Sequence, residues 1–298
     1  MAYDKVVDSA VLDGYFDDIA DAIRAKTGDS ATMTPADMPG EIASIQSGMD
    51  PNFEALISGT ASGEIDIRLP EYAYALGIEF GGNNPSYHMA NYNVTKLTVR
   101  GVKIWGNGDV YPPNGGMRFS GEAMNLSYIE LTDCEQIVMQ KSSSGTNAFR
   151  NLEDFIAPKL TKISNGNGAT FGGSNASKLK QFVCPNYTYA LEGSMFSECT
   201  AMTLADVKTT NLNSSVFYDC SALVAVVLRN STPAVLSYVS AFTGTPIASG
   251  TGYIYVPRDL ISTYEAATNW STYAGQFRAI EDYTADGTLD GDFVMPTA

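Results

Sequence analysis

One histidine, His88, stands among 298 residues. Imidazole is the usual general base near neutral pH and the commonest metal ligand, so most triad and metalloenzyme chemistry is excluded at the outset. An enzyme built on this chain would have to work through carboxylates or a thiol. Basic residues are scarce as well: 18 Lys and Arg stand against 33 Asp and Glu, a formal charge of −15. That is the wrong sign for a protein that tracks phosphates, and nucleic acid is not an expected partner. Long hydrophobic runs are missing, since no stretch approaches the roughly 18 apolar residues of a membrane span. The opening residues, MAYDKVVDSAVLDGYFDDIADAIRAK, lack the basic start and unbroken apolar stretch of a secretory signal. Neither membrane insertion nor export by the general route is expected. The four cysteines, Cys134, Cys184, Cys199 and Cys220, form no CxxC pair and no metal-ligand spacing. They read as small buried thiols.

What is present is 44% hydrophobic residues, enough for a sizeable core, with 27 Gly and 17 Tyr in a chain that turns often. The acidity belongs to the ends. Residues 1–50 hold ten acids and three bases, and residues 281–298 hold five acids and no base; the 230 between them carry 18 acids and 15 bases. From Val11, apolar residues recur at Leu12, Tyr15, Phe16, Ile19 and Ile23, with Asp13, Asp17, Asp18 and Asp21 opposite, which predicts a helix stopped near Gly28. Thr34-Pro35-Ala36-Asp37 has the residues of a helix start, with Thr34 as cap and Asp37 able to reach back to it, and predicts a short second helix to about Ile45. Two short helices with narrow apolar faces cannot hold a core alone, so residues 1–50 read as an anchoring and assembly module that packs on partners or on copies of itself.

Self-comparison organises the remainder. Between Leu126 and Leu228 one pattern recurs: Leu126-Ile129-Leu131, Leu152-Phe155-Ala157, Leu179-Phe182-Cys184, Met202-Ala205-Val207 and Leu223-Val226-Leu228. An aromatic precedes most of them, at Phe149, Phe171, Phe196 and Phe217, and Phe242 opens a further unit. The runs Met195–Met202 and Val216–Leu223 are near copies. A period of 21 to 27 residues with Leu at fixed offsets predicts a mainly β leucine-rich-repeat solenoid, one short strand per coil, in which each coil buries its neighbour's apolar edge.

The unit Phe-x-x-Cys-x-x-Leu-x-x-apolar-x-apolar resembles the BspA-like leucine-rich repeat. The run Tyr253-Ile254-Tyr255-Val256-Pro257, followed by Leu260, Tyr264, Trp270, Tyr273 and Phe277, is similar to the helical segment that caps many such arrays. The residues Ile19 to Gly28, with Thr34-Pro35 and Met38–Ile42, resemble a helical module found ahead of such repeats in tail and other structural proteins of phages and prophages of Gram-positive bacteria. The run Phe53–Gly59 looks like the linker those proteins use. The resulting plan is a helical module over 1–50, a linker with irregular early coils over 51–119, the solenoid over 120–256, a cap over 257–283 and a flexible acidic tail over 284–298.

Candidates for chemistry are few. His88 sits in a loop-like run with no Cys or His nearby. Glu135, Glu153, Asp154, Glu198 and Asp219 fall at repeat turns, where acids form a solvated rim; glycoside cleavage needs two carboxyls held about 5–9.5 Å apart. Asp286–Asp292 lacks the order of a calcium loop. The Gly81–Asn83 and Gly166–Gly173 runs lack the Lys-Ser/Thr ending of a phosphate cradle. Tyr72, Tyr74, Tyr87, Tyr92, Tyr111, Tyr187 and Tyr189 fall in or beside loops, where a ring with a hydroxyl suits a glycan or protein surface, although several must be packing residues. No catalytic, cofactor-binding or metal residue is expected, and no receptor-binding residue is assigned. The resemblance implies a non-enzymatic virion structural protein, a tail fibre or tail-tip component assembled in the host cytoplasm. It would be homo-oligomeric, attached to other tail proteins through its N-terminal helices, and would bind a host glycan or protein. A bacterial cell-surface adhesin of the same repeat family is the alternative, and a carbohydrate-active enzyme the third.

Overall fold

The computed structural model describes residues 9–27, 32–38, 50–69, 79–80, 91, 93–106, 118–119, 125–138, 149–164, 171–172 and 176–297. They fall into two compact units, Met1–Pro51 and Asn52–Ala298.

In the first unit, helix α1 spans Ser9–Thr27. Its Phe16, Ala20 and Ile23 lie on one face and pack with Met33 and Met38. The carboxylate of Asp37 reaches back to the Thr34 N–H at 2.9 Å and to the Thr34 hydroxyl, which holds the acid below its usual range. The Thr34 carbonyl accepts from the N–H groups of Asp37 and Met38, a first turn at the predicted start of the second helix; its remainder to Ile45 and the stop at Gly28 lie outside the described residues.

The second unit is a mostly parallel-sheet α/β fold with few helices. Helix α2 (Pro51–Ser58) precedes the strands β1 (Ser62–Arg68), β2 (Glu79–Phe80), β3 (Asn93–Arg100), β4 (Ile104–Gly106), β5 (Arg118–Phe119), β6 (Tyr128–Leu131), β7 (Gln136–Val138), β8 (Asp154–Ile156) and β9 (Lys162–Ser164). Strands β10 (Gln181–Cys184), β11 (Leu204–Val207), β12 (Asn211–Leu212), β13 (Ala225–Leu228), β14 (Val235–Leu236), β15 (Tyr253–Val256) and β16 (Phe277–Ala279) follow. Helices α3 (Pro246–Ser249) and α4 (Ile261–Ala266) flank β15. Nine strands form one parallel sheet in the order β1-β3-β6-β8-β10-β11-β13-β15-β16, and β4-β7-β9 and β12-β14 form smaller parallel ladders beside it.

Register explains the core. One row across the sheet runs Ile65, Leu97, Ile129, Phe155, Phe182, Ala205, Val226, Ile254 and Phe277, each opposite the next. Side chains alternate along a strand, so this row and the one two residues on, which includes Val99, Leu131, Cys184, Val207 and Leu228, point to the same side. All are buried in one continuous cluster. The recurring Leu126, Leu152, Leu179, Met202 and Leu223 join it from the turn before each strand.

A column of rings closes the side of this core away from the sheet. Phe149 and Phe171 lie 5.0 Å apart, and Phe171, Phe196, Phe217 and Phe242 follow at 5.5, 5.5 and 5.6 Å with interplanar angles of 12°, 8° and 20°. Their backbones are laddered too: the N–H of Phe171, Phe196 and Phe217 donates to the carbonyl of Met195, Val216 and Ala241. Cys199 and Cys220 donate their thiols to the carbonyls of Phe171 and Phe196, each at 3.0 Å. All four cysteines are buried. Burial pushes the Cys220 thiol up to about 12 and that of Cys199 higher still.

The turn after each of the last three rings holds a left-handed residue. Glu198 and Asp219 hold φ of 63° and 56°, and Gly244, two residues after Phe242, holds 78°. A side chain on Gly244 would press its Cβ to 2.1 Å from Asp219 Oδ1.

Three stretches depart from the sequence reading. Phe53–Gly59, read as linker, is mostly helix α2, whose buried Leu56 enters the core beside β1; Asn91 pins it by donating to the Leu56 carbonyl at 2.9 Å and accepting from Ala61 N–H. The cap read as purely helical contains a strand. Tyr264, Trp270 and Tyr273 cover the last rings as expected of a cap, but Phe277 continues the buried row as part of β16. The tail read as flexible folds back as a hairpin, with a bridge between Thr284 and Phe293. Its Leu289, Phe293 and Met295 pack on Leu204, Val227, Tyr255 and Ile280.

Candidate functional site

The strand residues between the buried rows point to the opposite, outer face of the sheet, and this face changes character along its length. On the five strands from β1 to β10 the outward residues are Glu64, Asp66 and Arg68, then Lys96, Thr98 and Arg100, then Tyr128 and Glu130, Asp154 and Ile156, and Gln181 and Val183. They are exposed on β1 and half-buried from β6 onward. On β11, β13 and β15 the outward Leu204, Ala225, Val227 and Tyr255 are apolar and sit under the C-terminal hairpin, with Asp206 among them on β11 and Arg278 outward over the Tyr253 ring on β16.

Cross-strand contacts organise the open part. Lys96 pairs with Glu64 at 2.7 Å, and Arg100 pairs with Asp66. Tyr128 Oη donates to Glu130 at 2.9 Å, and Gln181 Nε2 donates to Asp154 at 2.7 Å. Partial burial, then the neighbouring Glu130 and Asp154, push the Tyr128 phenol up to about 12, so it is a permanent donor at neutral pH. At the strand ends, Lys159 bonds Asp133 at 2.8 Å and Lys180 bonds Glu153 at 2.6 Å. The Lys159 bond, with the Gly101 N–H, holds the Asp133 carboxyl down to about 2. These exposed pairs orient side chains more than they stabilise the fold, each being worth about 0–1 kcal/mol.

The boundary between the two parts is a buried ion pair. Arg229 grips both carboxylate oxygens of Asp206, at 2.8 and 2.9 Å, and donates onward to the carbonyls of Gly291 and Leu289 in the hairpin. Burial raises the Asp206 carboxyl against the opposing pull of Arg229.

The acids singled out in the sequence are not gathered into a reactive pair. Glu153 is engaged by Lys180 and Asp154 by Gln181, Glu135 is exposed at the turn after β6, and Glu198 and Asp219 occupy their left-handed turns. Asp286 accepts from the backbone and hydroxyl of Thr288, closing a turn of the hairpin. Among the described residues, no group of three or more His, Cys, Asp or Glu is placed to hold a metal ion. Tyr187 is fully buried, whereas Tyr189 is exposed with the Lys162 ammonium 4.8 Å from its ring centre. His88, Tyr72, Tyr74, Tyr87, Tyr92, Tyr111, the Gly81–Asn83 run and residues 166–170 lie outside the described residues. Sequence reasoning missed Lys96, Tyr128 and Gln181. Outward positions vary from strand to strand, and only their alternation with the buried rows marks them.

No family model, curated protein or solved structure matches the chain. Among the described residues no helix is long and apolar enough to cross a membrane.

Proposed function

We propose that the chain is a non-enzymatic structural protein of a virion, a tail-fibre or tail-tip component, with a leucine-rich-repeat solenoid that binds the host surface and an N-terminal module that attaches it to the particle. The observation that carries this reading is the open polar face of β1 to β10. It offers a phenol ring and oxygen, paired acids and bases and amide groups on one rigid sheet, the equipment for hydrogen-bonding a glycan or a polar protein surface. The in-register rows and the ring column support a solenoid, since each turn buries the apolar edge of the next. The separate compact unit over Met1–Pro51 supports the attachment role: its helix leaves Tyr15 62% and Ile19 43% exposed, one helical turn apart.

Two measurements test the reading. Mass spectrometry of purified particles is expected to recover the full chain, and its absence would remove the virion role. Fluorescently labelled protein is expected to bind host cells, and the combined Tyr128→Phe, Asp154→Ala and Gln181→Ala variant to bind at least tenfold more weakly. Unchanged binding by a folded variant would remove the sheet face from recognition.

A further inference from the structure

Among the described residues, the first strand of the sheet keeps one backbone edge without a partner. β1 ends the strand order, with β3 on its other side. Leu69 donates its N–H to the Arg100 carbonyl at 2.9 Å. Backbone groups alternate sides along a strand, so those of Ile65 and Ile67 also turn toward β3, while those of Glu64, Asp66 and Arg68 turn away. Among the described residues none of these three makes a backbone bond on that side. Helix α2 does not pair with the strand; its Ala55 carbonyl takes the N–H groups of Thr60 and Ala61 just before it.

Edge strands are ordinarily guarded by charges that repel a second copy. Here the exposed charges have mixed sign, Glu64, Asp66 and Arg68. Arg68 lies opposite Arg100 in the register, Arg100 has turned to Asp66, and Arg68 has no ion pair among the described residues.

We propose that β1 pairs with β1 of a second copy of this chain, antiparallel about a twofold axis through Ile67. A twofold contact between identical strands is antiparallel, and residues directly opposite must share a face, which limits the registers. An axis at Ile65 sets Glu64 against Asp66 in both halves. An axis at Asp66 sets Glu64 opposite Arg68 twice but forces the Asp66 carboxylate directly against its own copy. The axis at Ile67 sets Asp66 opposite Arg68 twice, and charge opposition of this kind is the favourable one across a strand pair. The contact joins two nine-stranded sheets into one. Being small, it belongs to the weak class of interfaces.

A charge swap tests the register. At about 100 μM, chosen because so small an interface is expected to dissociate at low concentration, sedimentation equilibrium of the full chain should give twice 31.9 kDa. Arg68→Glu alone and Asp66→Lys alone should each give monomer, because each homodimer then opposes like charges twice. An equimolar mixture of the two should return dimers containing one of each, because both contacts are again of opposite sign. Far-UV circular dichroism confirms that the exposed substitutions leave each variant folded. A monomeric or trimeric native chain, a dimer that survives either variant, or folded variants that stay monomeric when mixed would overturn the proposal.

Discussion

Removing the ring of Phe196 tests the ring column directly. This residue is fully buried, parallel to Phe171 and Phe217 at 5.5 Å on either side and edge-on to Phe182 at 4.9 Å. Phe196→Ala leaves a hole between two rings that are fixed by their own backbone ladder and cannot collapse onto each other, so the upper half of the usual range applies, about 4–5 kcal/mol. That is a large part of the roughly 5–15 kcal/mol that holds a typical domain folded. Each lost ring contact contributes about 0.5–1.5 kcal/mol beyond buried area, which makes the column's coupling local. Phe196→Leu combined with Phe217→Leu should deviate from additivity by about 0.5–1.5 kcal/mol, whereas Phe149→Leu combined with Phe242→Leu, three rings apart, should add to within about 0.5 kcal/mol. Urea unfolding measures both, followed by circular dichroism and by the fluorescence of Trp270, which is buried against Tyr264 and Phe277. A loss below about 1 kcal/mol for Phe196→Ala, or additivity in the neighbouring pair, would refute the reasoning.

Further predictions concern the turns, the ion pairs and the hairpin. Gly244→Ala should lose about 1–3 kcal/mol because a Cβ at this left-handed position would meet Asp219, whereas Glu198→Gly should lose none; equal losses in urea melts would dismiss the Asp219 contact as the cause. Asp133, held at about 2 chiefly by Lys159, has a folded pKa below its ordinary value of 3.8, so its contribution to stability is present above that value and lost as pH falls through about 2. Its carboxyl carbon, followed by NMR, should titrate near 2 and move upward in Lys159→Met; an unmoved midpoint contradicts the assignment. Truncation after Asp282 uncovers Leu204, Val227, Tyr255 and Ile280 and takes two carbonyl partners from Arg229. Binding of an apolar dye should rise and stability should fall by about 2 kcal/mol or more, and dye fluorescence unchanged from the full chain would count against the cover.

The interior was more legible in the sequence than the exterior. Leu126, Leu152, Leu179 and the phenylalanines recur because every turn must bury the same kind of side chain at the same place, and packing of that kind leaves a period. The outward positions answer to solvent, to cross-strand partners or to the hairpin, so Tyr128, Gln181 and Leu204 occupy one row without resembling one another. β16 was hidden for a different reason: three residues between short helical turns carry too little pattern to announce a strand, and Phe277 suits a cap as well as a buried row. The hairpin was hidden by composition. Its acids read as solvated tail, while the spacing of Leu289, Phe293 and Met295 follows their packing on the cluster of Tyr255 and Tyr283 and no helical or strand period. The left-handed position two residues after each of the last three rings was visible only at Gly244, because Glu198 and Asp219 accept the same backbone without advertising it.

The clamp of Arg229 on the returning chain end has a metrical consequence. By roofing the sheet from β11 onward it leaves four inter-strand gaps uncovered, about 19 Å at roughly 4.8 Å apiece. An α-helix, about 10–12 Å across with its side chains, fits within that width of a single copy with room to tilt. The last residues of the second unit thereby dictate how large a footprint its first strands accept.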